Sequence, residues 1–111
     1  IITQFLEQKT SKWWSEFIAY PDRYPHVISE MFYHFLDMRE EIHLLYHAGL
    51  SHLLMEHIVL CGKLSQTGEI KNTYQIAFMS GGLCGLVNEW ILRGMKESPE
   101  EMEHIFSNHK I

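Results

Sequence analysis

The sequence predicts an all-α fold, and three observations carry that expectation. Apolar residues recur at spacings of three, four and seven, and no segment alternates apolar with polar as a half-buried strand does. Proline is confined to Pro21, Pro25 and Pro99, each at a place where one helix can give way to another. At 111 residues the chain is one domain, long enough to bury a core without staples. A hydrophobic share of 46% and a charged share of 21% exclude disorder and fibrous repeats.

About five helices are expected. The first, Ile2 to Tyr20, sets Ile2, Phe5, Leu6, Trp13, Phe17 and Tyr20 on one side, with Lys9, Lys12, Ser15 and Glu16 between them. Pro21 ends it, and a second helix begins at Pro21 or Pro25, since proline suits a first turn. Its apolar side is Val27, Ile28, Met31, Phe32, Phe35 and Met38. Asp37 to Glu41 reads as a charged bend. A third helix is expected from Glu41 to Leu60, leaving through Cys61-Gly62-Lys63 with the glycine as left-handed cap. Ser65-Gln66-Thr67-Gly68-Glu69 is a loop of turn residues without apolar periodicity. A fourth helix follows from Lys71 to Met95. Ser98-Pro99-Glu100-Glu101 then opens a fifth through Met102, Ile105 and Phe106, with Ser98 as N-cap, Pro99 in the first helical position and Glu101 completing a capping box.

Charge and composition narrow the function. Nine Lys and Arg against fourteen Asp and Glu leave a net charge of −5, so the chain alone lacks the basic surface that phosphate contacts need. Cys61 and Cys84 form no CxxC pair and sit in apolar helical runs, as reduced thiols of a cytoplasmic protein would. The longest stretch without Asp, Glu, Lys or Arg runs from Asn72 to Asn88, too short to cross a bilayer. No nucleophile motif stands out, and no motif implies a cofactor. Gly81-Gly82-Leu83-Cys84-Gly85 lacks the preceding strand and the Lys of a phosphate-binding loop, so an enzyme is not expected.

The fourth helix has two apolar faces. Tyr74, Ala77, Gly81, Cys84, Gly85, Asn88, Leu92 and Met95 make one, mostly small in its middle. Ile76, Met79, Leu83, Leu86, Val87 and Trp90 make the other, and these are bulky. Each helix-interior Gly costs about 0.8–1.0 kcal/mol relative to Ala, so close packing of another helix over Gly81 and Gly85 is the natural compensation. A homodimer through this face is expected, completed by Met102, Ile105 and Phe106 of the last helix. A monomeric bundle burying the helix on all sides is the other reading.

Eight histidines are unusual for this length. His43, His47, Leu50, Leu54 and His57 follow one another at spacings of 4, 3, 4 and 3, so on a continuous helix they share one face. Such a seam fits the wall of a small-molecule pocket, apolar with a few polar groups. Trp13, Phe17, Phe35 and Phe78 are the aromatic candidates for the other walls, and an apolar or aromatic effector suits them. His43 and His47 could instead hold a metal ion with Glu40 or Asp37, or the His43/His47/His57 face a haem, although neither HExxH nor CxxCH is present. Ordinary structural histidines are the third reading, and a small helical enzyme using this face a fourth.

The run from Ala77-Phe78-Met79 through Gly81-Gly82-Leu83-Cys84-Gly85, Trp90 and Gly94 to Ser98-Pro99-Glu100-Glu101 resembles the C-terminal signature of TetR-family transcriptional regulators. It most resembles the Firmicutes-type branch that includes DhaS-like regulators. Gly68-Glu69-Ile70 fits the same pattern, and Ile1-Ile2-Thr3-Gln4-Phe5-Leu6 looks like the start of the helix that follows the family's DNA-binding domain. The match is specific over Gly68 to Phe106. The resemblance implies a homodimer built on a four-helix bundle, two helices from each subunit, here the fourth and fifth. It also implies an effector cavity enclosed by the earlier helices and no enzymatic activity. The family's N-terminal helix-turn-helix is absent from this chain, so residues 1–111 are expected to be the effector-binding and dimerisation part of a longer regulator that reaches DNA through that missing domain.

Overall fold

The computed structural model describes residues 2–19, 26–64 and 70–108, and among these it contains six helices and no strand. They are α1 (Ile2–Ile18), α2 (Val27–Asp37), α3 (Arg39–His47), α4 (Ser51–Leu64), α5 (Ile70–Leu92) and α6 (Pro99–Ser107). The expected turn around Pro21 to Pro25 and the loop Ser65 to Glu69 lie outside the described residues.

The sixth helix arises because the expected third helix is two. Ala48 caps α3, and Gly49 follows at φ +72°. The Leu50 N–H bonds the Leu45 carbonyl at 2.8 Å, and that of Gly49 bonds the Tyr46 carbonyl at 3.2 Å. This pair is a Schellman closure, which needs the left-handed backbone that glycine adopts without a Cβ penalty. The expected exit at Cys61-Gly62-Lys63 is also corrected: α4 runs through Gly62 to Leu64. A second Schellman closure ends α5, with Gly94 at φ +88° and the Met95 N–H on the Trp90 carbonyl at 2.8 Å. That helix therefore stops at Leu92, short of the expected Met95.

α6 starts as its sequence dictates. The Ser98 hydroxyl oxygen accepts the Glu101 N–H at 3.1 Å, and Pro99 occupies the first turn. The return half of the capping box differs: the Ser98 hydroxyl donates to the Glu101 carboxylate at 3.2 Å. Replacing Ser98 with Ala should cost about 1 kcal/mol, as N-cap losses do. A urea denaturation midpoint unchanged in Ser98→Ala would refute this role.

The core sits where α2, α3, α4, α5 and α6 meet. Phe32, Ile42, Leu54, Val87 and Trp90 are fully buried there, and Leu6 seals α1 onto it. Phe32 and Trp90 meet edge to face at 4.8 Å, a favoured aromatic geometry. The Trp90 indole N–H donates to the Glu97 carbonyl at 2.9 Å, tying the α5–α6 turn to the core. On the far side, α2 packs on α6 and α4 on α5. Among the described residues no helix is long and apolar enough to cross a membrane.

Candidate functional site

α1, α2 and α4 converge on one buried hydroxyl. Thr10 Oγ1 of α1 lies 3.3 Å from His34 Nε2 of α2 and within hydrogen-bond reach of His57 Nε2 of α4. A hydroxyl has one proton to give and lone pairs to accept with. It is satisfied here by donating to one imidazole and accepting the N–H of the other, which sets the two rings in opposite tautomers. Trp13 stacks on the His34 ring at 5.1 Å and 16°. The same residues, with Met31, Phe35 and Ile58, line a small cavity with room for at most one water molecule.

The electrostatics of the cluster are those of neutral rings. Burial is the main cause that pushes His34 from 6.5 down to about 4, with repulsion from His57 and Lys9 adding to it and Asp37 opposing. Burial lowers His57 too, against the pull of Glu7. An imidazole held below its ordinary value takes up its proton more readily in the unfolded chain. The folded state therefore keeps this contribution in full above pH 6.5 and loses it as pH falls from 6.5 towards about 4. The urea midpoint should drop across that window, and His34→Gln should shrink the drop. Equal pH dependence in the two proteins would contradict the assignment.

The structure gathers only part of the expected pocket. Trp13, Phe35 and His57 line the cavity, while Leu54 is buried in the core and Leu50 packs half-buried against it. The side chain of Phe17 lies outside the described residues. His43 and His47 are exposed on α3, because the break at Gly49 separates their face from that of His57. Phe78 is 60% exposed on α5 and is not among the residues that line this cavity. Sequence reasoning missed Thr10 and His34. His34 stands one position from Phe35 on α2, and its polar partner is 24 residues away, so no local spacing links them.

No group of three or more His, Cys, Asp or Glu side chains among the described residues is placed to hold a metal ion. Cys84 is a free thiol, half-buried, whose S–H points at the Met55 carbonyl at 3.6 Å. Burial raises its pKa, so it is not an activated nucleophile.

The second candidate surface is the outer face of α5. Of the bulky face Leu83, Val87 and Trp90 are buried, whereas Met79 is exposed. Tyr74, Ala77, Gly81, Gly85, Leu92 and, on α6, Ile105 of the expected interface are exposed, as are Phe78 and Gly82 of α5. A Cβ built on Gly81, Gly82 or Gly85 would meet nothing within 4 Å. Cys84 and Asn88 sit at the edge of this face and turn inward, Asn88 Oδ1 accepting from the Tyr46 hydroxyl at 2.6 Å. Phe106 is half-buried against the core. Met102 is corrected: at 4% exposure it belongs to the core of its own chain, with no surface left for a partner.

Residues 22–109 match the model of a family described as transcriptional regulator C-terminal region, TetR_C_8. No curated protein and no solved structure matches the chain.

Proposed function

The chain belongs to this family of TetR regulator C-terminal regions, and from that premise we propose that it is the effector-sensing and dimerisation domain of a cytoplasmic TetR-like transcriptional regulator. The observation that carries the reading is the open stripe of α5, with three glycines in empty space between exposed Tyr74, Phe78 and Leu92. Glycines that no side chain of their own chain approaches are costly in a helix, and a second copy seated on them repays that cost. Ile105 of α6 is exposed as well, and in this reading α5 and α6 of each subunit build the interface.

In this reading a small apolar or aromatic effector enters beside Thr10, His34 and His57. Operator binding belongs to a helix-turn-helix domain preceding residue 1. The effector acts by population shift, favouring one spacing of the paired DNA-binding heads over another. The motif order from Ala77 to Glu101 supports placing the chain in the Firmicutes-type, DhaS-like branch. The role is that of a sensor rather than an enzyme. Sedimentation equilibrium at micromolar concentration tests the dimer: twice the mass of one chain is expected, and a monomer there overturns it.

A further inference from the structure

Leu6, Thr10 and Trp13 moor α1 to the other helices. Leu6 is buried in the core, the Thr10 hydroxyl joins His34 of α2 to His57 of α4, and Trp13 stacks on the His34 ring. Two of these moorings therefore pass through an imidazole. The bridge holds two hydrogens among its three polar atoms, the hydroxyl's own and the N–H of one ring, and each has an acceptor. A proton taken up by the accepting ring adds a third hydrogen and removes the lone pair that received the hydroxyl. It also puts a cation beside Met31, Phe35 and Ile58, in a cavity with no carboxylate in its wall and room for at most one water molecule. Thr10 and Trp13 form the α1 side of that wall, so moving α1 away is what admits more water to a charged ring.

We propose that the Thr10 bridge is a proton-released latch: it holds α1 on α2 and α4 while both imidazoles are neutral, and a proton on either ring favours a state in which α1 has come away and the rest of the bundle stays folded. Burial is the main influence on both rings and holds them below their ordinary value, His34 at about 4. From α4, His57 repels charge on His34; from α2, Asp37 attracts it; from α1, Lys9 repels it, and Glu7 attracts charge to His57. The Trp13 face also favours a cation, but that attraction lasts only while α1 is in place. Once α1 is off, water reaches the rings and their ordinary affinity for protons returns, so acid favours the open state. The latch stands on the bridge alone. Its use in regulation rests on the reading above, in which the DNA-binding domain is joined to α1 and acid loosens the joint between sensor and heads.

Hydrogen–deuterium exchange of the unaltered chain, corrected for the intrinsic pH dependence of amide exchange, tests the latch. Amides of α1 should be less protected than those of Leu83 to Ile91 in α5, because α1 opens without the core. Between about pH 7.5 and about pH 5.5 the opening constant of α1 should rise about tenfold through His34 alone. That ratio follows from a ring that titrates at 6.5 when open and at about 4 when closed. Carboxylates stay ionised over this range. In the double variant His34→Gln, His57→Gln, which keeps polar side chains beside Thr10 but no titrating ring, the rise should vanish. Protection of α1 that equals that of α5, or that does not change with pH, overturns the latch, and so does a rise that persists in the double variant. Without any variant, the His34 ring should titrate below 6.5 by NMR, and a midpoint at 6.5 overturns the latch as well. The dimer is tested separately by sedimentation, so failure of the latch and failure of the dimer are told apart.

Discussion

Truncating Trp90 to alanine is expected to remove about 3–5 kcal/mol of stability, the range for a buried aromatic lost from a packed core. The side chain is 1% exposed, meets Phe32 edge to face and donates to the Glu97 carbonyl. Its loss opens a cavity at the centre and frees the turn into α6 together. Domains of this size are stable by only about 5–15 kcal/mol, so Trp90→Ala should lie near the edge of folding. Trp90→Phe keeps a ring against Phe32 but cannot reach Glu97, and its cost should be smaller. Urea denaturation followed by circular dichroism checks both, and a loss below 1 kcal/mol in the alanine variant would mean that the core closes over the gap.

Gly81→Leu should behave in the opposite way, sparing the single chain and splitting the pair. Nothing in its own chain lies within 4 Å of the new Cβ, and leucine is a better helix former than glycine by roughly 0.8 kcal/mol. The folded protomer should therefore gain stability. Across a two-fold interface each substitution is met twice, and overpacking costs about 1–3 kcal/mol at each site. The association constant should fall by a factor of tens to about ten thousand, with the variant sedimenting as a monomer and its helical spectrum unchanged. A Gly81→Leu chain that stays dimeric at micromolar concentration would sink the proposed interface.

Helical class and the start of α6 were legible because both rest on local chemistry: apolar spacing, and Ser98-Pro99-Glu100-Glu101 acting within one turn. The two apolar faces of α5 were legible for the same reason, and Leu83, Val87 and Trp90 of the bulky one are buried. The α3–α4 break was hidden because helical spacing runs on through His43, His47, Leu50, Leu54 and His57, masking the cap signal of Gly49. That one turn also accounts for the misplaced histidines, since a face counted across it ceases to be a face. Phe78 was drawn to the pocket by its type, whereas its position on α5 puts it outside. Thr10 and His34 were beyond local pattern altogether. Their meeting depends on α1 lying across α2 and α4, a tertiary fact that no periodicity encodes.

The turn at Gly49 also has a mechanical meaning. A continuous rod would carry any tilt at His57 straight along to Arg39, because every hydrogen bond along it resists bending. Here the helical ladder is interrupted at Gly49, and α3 and α4 are joined across it by the two bonds that close the turn. α3 is tied to α5, through the Tyr46 hydroxyl on Asn88. α4 lies along α5 and touches it at Met55 and Cys84. Load applied beside Thr10 thus meets the long helix that bears the glycine stripe through α4, and α3 holds that helix at Asn88.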